Sequence, residues 1–277
     1  MLYYNISAKS FNALAQIEKA IIKSKNECEL KVKFLRPYCV TFLEQIILNE
    51  KSSEFKIFSK YKEANQYLKQ INFDYLSSRA EFPQEKFPDS EIIKIKKYLN
   101  GNPDLDDEAS EWIDTNILEY IGKENPLANK ITQNIWEIID NGLIHGKNKN
   151  GVSIAGQFYP QKEYFEVAIY DRGIGIPNLV RREIKDIRFE NDYECIDWAF
   201  GKGHSTGDLA KANGLGLYFL KNFIRVNNGN LQIISGNGYI CIGNSDVSDK
   251  REIKNFLKGT LVNIRINYKK YNETQSN

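Results

Sequence analysis

The feature that most restricts how this chain can fold is an ordered trio of polar, glycine-marked segments. They are Glu137-Ile-Ile-Asp140-Asn141-Gly-Leu-Ile-His145, Asp171-Arg-Gly173-Ile-Gly175-Ile-Pro177 and Asn213-Gly214-Leu215-Gly216-Leu217. The first lies on a helix predicted over residues 127–144, whose apolar stripe is Ile131, Ile135 and Ile138 or Ile139. The second ends an apolar run, residues 164–170, that reads as a strand. The third opens a helix predicted over residues 215–226.

The segments around the trio extend this pattern. Residues 152–159 pair naturally with 164–170 as a hairpin, and strands are predicted at 231–235, 239–242 and 260–267. Helices on one side of a mixed sheet give a two-layer α/β sandwich, here over residues 107–270, where a helix from Trp112 to Ile121 also falls. Residues 1–76 read as a small α/β domain in the order helix, strand, helix, strand, helix, with strands at Leu30–Leu35 and Phe55–Phe58. Between them, residues 77–106 carry Pro83, Pro88 and Pro103 around a short helical piece, Glu91 to Leu99, and read as a linker or arm. The fold class is therefore α/β, with a C-terminal sandwich and a small N-terminal α/β domain.

Bulk composition removes several function classes. A net charge of +2, from 38 basic and 36 acidic residues, provides no sustained field for nucleic acid or anionic lipid. Four cysteines without C-x-x-C spacing read as reduced, buried thiols. The N-terminal residues lack a signal-peptide layout and no apolar run is long enough for a membrane span, so a cytoplasmic protein is the expectation.

Chemistry narrows the reading further. Glu137, Asn141 and His145 stand at i, i+4 and i+8, one polar stripe on one helix face. An amide oxygen from Asn141 suits magnesium, a hard cation that keeps waters and bridges to substrate phosphates. Glu137, one turn back, suits a general base, whereas His145 reads as structural. Asp171 at a strand end is an acceptor pair for an exocyclic amine such as adenine N6, and Gly173 and Gly175 permit close approach of a flat ligand. Gly214, Leu215, Gly216 and Leu217 open a helix whose first amides lack intrahelical partners and can receive phosphate oxygens. The stretch before it, residues 201–207 with Ser205 and Thr206, reads as a lid, with Lys202 and Lys211 as sources of charge. Each segment alone also reads as something plainer: a solvated helix face, a self-capping turn, a packing glycine. Their order, settings and chemical types together fit one ligand, Mg-ATP.

At these residues the chain resembles the GHKL ATP-binding superfamily of gyrases, heat-shock chaperone ATPases, mismatch-repair ATPases, histidine kinases and anti-sigma-factor kinases. Glu137 to Asn141 looks like the N box, Asp171 to Gly175 like the first glycine box and Asn213 to Leu217 like the second. Gly259-Thr260 looks like the terminal Gly-Thr. The four motifs fall in the superfamily's order, marked in turn by Asn141, Asp171, Gly214 and Thr260. The resemblance implies that Glu137 is the general base, Asn141 the magnesium ligand and Asp171 the adenine anchor. It gives Thr260 a supporting contact, with Gly173, Gly175, Gly214 and Gly216 lining the nucleotide.

Within the superfamily, the Glu-x-x-x-Asn-x-x-x-His-Gly pattern of Glu137 to Gly146 is most similar to anti-sigma-factor serine/threonine kinases. The two histidines, His145 and His204, both fall inside the nucleotide motifs, which argues against a histidine autokinase. The short tail after the last predicted strand argues against a topoisomerase-like transducer. Residues 1–76 are faintly similar to a STAS domain, although Thr41 stands where a phosphoacceptor Ser motif is expected. The expectation is a regulatory protein with phosphoryl transfer as kinase or ATPase, or alternatively a nucleotide-gated binding switch. Its partner would be STAS-type or sigma-factor-like, with no nucleic acid or membrane, and two chains could pair through the helices from Trp112 onward.

Overall fold

The computed structural model describes residues 8–84, 91–204, 216–243 and 247–268. The chain begins with α1 (Ala8–Lys23), β1 (Glu27–Leu30), α2 (Pro37–Glu50), β2 (Lys56–Ser59) and α3 (Lys62–Gln70). This is the element order expected for the N-terminal domain. The first strand lies at Glu27–Leu30 rather than Leu30–Leu35, because its parallel partner β2 pairs with it residue for residue only over that span.

The chain continues through β3 (Ile92–Tyr98), α4 (Leu105–Ile113), a π-helical turn at Asp114–Leu118, α5 (Glu119–Ile121) and α6 (Ala128–Gly146). The hairpin β4 (Val152–Tyr159) and β5 (Tyr164–Asp171) follows, then α7 (Ile176–Glu183), α8 (Asp192–Ala199), α9 (Gly216–Val226), β6 (Asn230–Ile242) and β7 (Val247–Asn267). Five strands form one sheet in the order β3-β4-β5-β7-β6, and each neighbouring pair is antiparallel, not mixed as the sequence suggested.

Three local expectations are corrected. Residues 91–99, read as a helical piece within the arm, form the edge strand β3 paired with β4. An Ile-Ile-Lys-Ile-Lys-Lys-Tyr string satisfies helical spacing, but its β-branched residues and edge lysines suit a strand that needs protection from further pairing. The strands expected at 231–235 and 239–242 are one strand, bent where pairing with β7 shifts at Gly236, whose φ is 63°. Helices α7 and α8 were not anticipated, although Asn191 and Glu194 form a capping box at the start of α8.

The sheet buries both of its faces. Along β5, every residue is buried, and the side chains alternate between two cores. Phe165, Val167 and Ile169 join Ile131, Ile135, Ile138, Ile139 and Leu143 of α6, with α4 and α9 completing that layer. On the other face, Ala168 and Tyr170 join Leu43, Ile46 and Ile47 of α2, with Leu14, Ile17 and Ile21 of α1 behind. Ala155 and Ala168 keep the second face shallow, and Phe42 of α2 packs on Tyr170 with ring centroids 5.6 Å apart. Each fully buried leucine or isoleucine here contributes about 1.5–3 kcal/mol of burial free energy. The two-layer sandwich expected for the C-terminal part is thus present, and the N-terminal unit adds a layer on its second face.

Polar contacts fix the register of that added layer. Gln45 on α2 donates to Ser153 Oγ on β4 (2.9 Å), while its own carbonyl oxygen accepts from Asn148 (2.8 Å). Arg36, ahead of α2, pairs with Glu166 of β5 at 3.3 Å and also meets Tyr159. All of these groups except Tyr159 are buried, so an orphaned partner costs its full desolvation penalty, and slippage of α2 along the sheet is disfavoured.

Candidate functional site

The polar stripe of α6 faces the start of α9. Asn141 Nδ2 donates to the Glu137 carbonyl oxygen (2.7 Å) and to Glu137 Oε1 (2.8 Å), one turn back. Only the amide nitrogen can donate to these oxygens, so the Asn141 carbonyl oxygen is turned the other way. Glu137 itself lies against Gly216, where any Cβ would overlap its carboxylate. A carboxylate beside the first residue of a helix is electrostatically favourable, which explains both the glycine and the placement of Glu137.

Lower on the same helix, Asp140 and His145 are half-buried. Desolvation raises the Asp140 carboxyl above its ordinary range and lowers the His145 imidazole, and their mutual attraction partly opposes both shifts.

The end of α6 closes on the end of β5 through glycines. A Cβ on Gly146 would stand 2.7 Å from Asp171 Oδ1, and one on Gly142 would stand 2.5 Å from Val152 Cγ1. A Cβ on Gly173 would overlap the Gly146 carbonyl, which accepts from Ile174 N at 2.9 Å. The space at Gly173 therefore admits the helix end, a protein neighbour and not only a ligand. Gly175, with φ of 77°, precedes α7 in a conformation costly for other residues, and Ser235 Oγ lies 2.9 Å from where its Cβ would be.

Asp171 is buried, and its Oδ1 accepts from Gly173 N at 2.9 Å. Burial pushes its carboxyl up to about 7, against backbone hydrogen bonds from Gly173 and Thr260 that pull it down. Thr260 stands opposite Asp171 in the β5–β7 pairing. Its hydroxyl is 3.1 Å from Ser235 Oγ, which donates to Gly259 O (2.8 Å) and accepts from Ile176 N (2.9 Å). Ser235 escaped the sequence reading. The signal was a serine closing a strand segment rich in apolar residues, Leu231-Gln-Ile-Ile-Ser235, immediately before a glycine.

The structure thus brings Asp171, Gly173, Gly175 and Thr260 to one strand end, and Glu137, Asn141 and Gly216 to the facing helices. Leu217 packs against the apolar core beside α9. Ser205, Thr206, Lys211, Gly214 and Leu215 lie outside the described residues. Of the lid segment, Lys202 is exposed, and His204 stacks on Trp198 with centroids 4.6 Å apart while its Nδ1 lies 2.6 Å from the Trp198 carbonyl.

Among the described residues, no group of three or more His, Cys, Asp or Glu side chains could hold a metal ion, and no helix is long and apolar enough to cross a membrane. The donor set does fit magnesium in the form in which proteins usually hold it, one or two side-chain oxygens with the rest from phosphates and water.

Residues 127–269 match the family model described as histidine kinase-, DNA gyrase B- and HSP90-like ATPase. No curated protein matches the chain. Among solved structures the chain is similar to the topoisomerase IV ATP-binding domain of Francisella tularensis in complex with a small-molecule inhibitor, at 20% identity and a TM-score of 0.30. That match covers 57% of this chain and 40% of the length of the other.

Proposed function

The chain belongs to the family of histidine kinase-, DNA gyrase B- and HSP90-like ATPases, and from that premise we propose that it is a cytoplasmic regulator that binds Mg-ATP and transfers or hydrolyses the terminal phosphoryl group. One observation carries this reading. The Glu137–Asn141 pair lies against the start of α9, and the same helix, α6, ends on the buried Asp171. Groups proposed to recognise the base, on β5 and β7, and groups proposed to face the phosphates, on α6, thereby sit on two elements in direct contact, as positioning requires.

In this reading Asp171 accepts from the adenine amine, supported by Thr260. Gly214 and Leu215 with the first amides of α9 receive phosphate oxygens, and Ser205 and Thr206 belong to the lid. Asn141 offers its oxygen to magnesium, which would neutralise phosphate charge beside Glu137. Without a cation, a carboxylate and a phosphate at one helix start would repel each other. Glu137 takes a proton from the attacking hydroxyl or water, which with positioning is most of what phosphoryl transfer asks of a protein.

Neither histidine suits the role of phosphoacceptor in cis, since His145 and His204 both fall within the matched ATPase region rather than on a helix outside it. A serine/threonine kinase of the anti-sigma type, or an ATPase, is the reaction favoured, with a STAS-type or sigma-factor-like protein engaging the N-terminal unit. One observation favours a second reading, a switch without turnover: Glu137 is already engaged by Asn141 and packed on Gly216, as a helix-start cap would be.

The test is calorimetry with Mg-ATP together with phosphate release. Wild type should bind saturably, and Asp171→Asn should bind on the order of tenfold to a hundredfold more weakly for the lost charged acceptor. Glu137→Ala should keep ATP affinity and lose turnover by roughly 10²–10⁴-fold. No saturable binding by wild type would sink the proposal, and equal background release by both proteins would leave the switch.

A further inference from the structure

Arg172 lies between the Asp171 carboxylate and Gly173, the residue whose N–H binds that carboxylate. Its own side chain leaves the nucleotide-facing side altogether. The guanidinium is 5% exposed and reaches the N-terminal helices: Nη1 lies 2.7 Å from Glu18 Oε1 on α1, and Nη2 lies 2.9 Å from Glu50 Oε1 at the end of α2. Nε donates to the same Glu50 oxygen at 3.3 Å.

The flanking backbone is tightly packed. A Cβ on Gly259 would stand 2.8 Å from Arg172 Cα, and Tyr170 Oη donates to Lys258 O at 2.7 Å. Little freedom remains for the turn on the β7 side. On the face covered by α6 the Gly146 carbonyl accepts from Ile174 N, and on the opposite face the Arg172 guanidinium is held by two carboxylates carried by α1 and α2. A buried guanidinium with its counter-charges removed is strongly unfavourable, so the turn follows those carboxylates if they move.

We infer that Arg172 is a positioning residue through which α1 and α2 complete the nucleotide site: the Glu18 and Glu50 clamp holds the Asp171 turn in its binding geometry. Nucleotide affinity is then set partly by how the N-terminal helices sit on the sheet. By reciprocity, bound nucleotide tightens that seating by the same factor. A protein partner that engages α1 would thereby read and alter nucleotide occupancy, without touching the ATP pocket. This inference rests on Mg-ATP binding as proposed above.

The experiment uses the full chain and two readouts. Calorimetry with Mg-ATP compares wild type, Glu18→Gln, Glu50→Gln, the double variant and Arg172→Lys. Hydrogen exchange of the α1 amides is measured with and without Mg-ATP. The double variant should bind Mg-ATP about tenfold more weakly, a loss of ~1.4 kcal/mol. Glu18→Gln alone, a near-isosteric change on a partly exposed side chain, should show part of that loss in a folded protein. Arg172→Lys, keeping the charge but losing the fork, should fall between wild type and the double variant. Mg-ATP should slow α1 exchange in wild type and not in the double variant.

A purely structural clamp would lower the melting temperature of the ligand-free protein and leave affinity untouched. An affinity of the double variant within about twofold of wild type therefore overturns the inference while leaving ATP binding standing. Absence of binding by wild type overturns both.

Discussion

Helices α2 and α6 lie on opposite faces of one sheet, and they treat their polar residues in opposite ways. On α2, residues Pro37 through Ile47 are all buried, including Thr41, Glu44 and Gln45. On α6, burial is confined to a stripe of Ile131, Ile135, Ile138, Ile139 and Leu143 with small residues at its ends, and Glu137, Asp140 and Asn141 remain partly accessible. The difference follows from what lies behind each helix. A helix between a sheet and further elements has no solvent face, so its polar groups must find protein partners, as Gln45 does in Ser153 and Asn148. A helix with one open side can hold polar groups in readiness for a ligand. The polar residues of α2 are therefore committed to protein partners, and those of α6 remain open to a ligand.

The comparison can be broken most forcefully at the core of α2. Ile46→Ala removes a fully buried side chain and should cost ~2–5 kcal/mol. The tryptophans, Trp112, Trp136 and Trp198, all lie outside the N-terminal unit. Urea denaturation followed by tryptophan fluorescence should nevertheless show the whole loss in one transition, because α2 and β5 share one core. Separate transitions, or an unshifted fluorescence midpoint, would mean that the two layers fold independently.

A smaller effect separates the two kinds of polar residue. Gln45→Leu strands Ser153 and Asn148 in the interior and should cost about 1–3 kcal/mol, with Mg-ATP affinity nearly unchanged. Asn141→Leu on α6 should do the reverse, altering stability by roughly 0.5 kcal/mol or less while impairing magnesium-dependent binding. Melting temperatures and calorimetry on the same two variants decide the matter.

The gentlest probe is pH, because each helix meets a buried carboxyl raised to about 7. Burial pushes Glu44 on α2 up to about 7, opposed by Ser153 and Lys97, and pushes Asp171 up to about 7 as well. Between the ordinary carboxylate range and pH 7, the folded chain holds protons that the unfolded chain has released. Stability of the ligand-free protein should therefore be highest at the acid end of that window and fall as pH rises to about 7, then level off. Glu44→Gln should flatten part of this slope and leave the pH dependence of Mg-ATP affinity alone. Asp171 pairs best with an amine donor when ionised, so affinity should rise through pH 7 in wild type, with proton release on binding, and lose that component in Asp171→Asn. Calorimetry in buffers of differing ionisation enthalpy measures the proton count.

Much of the candidate site was legible in the residues. The helix carrying Glu137 and Asn141, the strand ending at Asp171 and the Gly259-Thr260 pair are local patterns, set by periodicity and by glycines, although β7 begins at Val247 rather than at Thr260. Residues whose meaning depends on distant neighbours were not legible. Ser235 acquires its role only when β6 lies beside β7 and α7 starts above it, and Arg172 only when α1 and α2 dock near the turn.

The division runs through the whole molecule. By itself the sequence determined the element order of the N-terminal unit, the hairpin of β4 and β5, and the ordered motifs that place the chain in its ATPase family. Only the tertiary structure decided that Ile92–Tyr98 is an edge strand, that the five strands pair antiparallel throughout, and that α1 and α2 reach the turn beside Asp171. Local backbone preference and side-chain period act over a few residues and are written in the chain. Strand pairing and the covering of a second sheet face join residues far apart in sequence, and a short edge strand such as β3 carries no alternation that would reveal it.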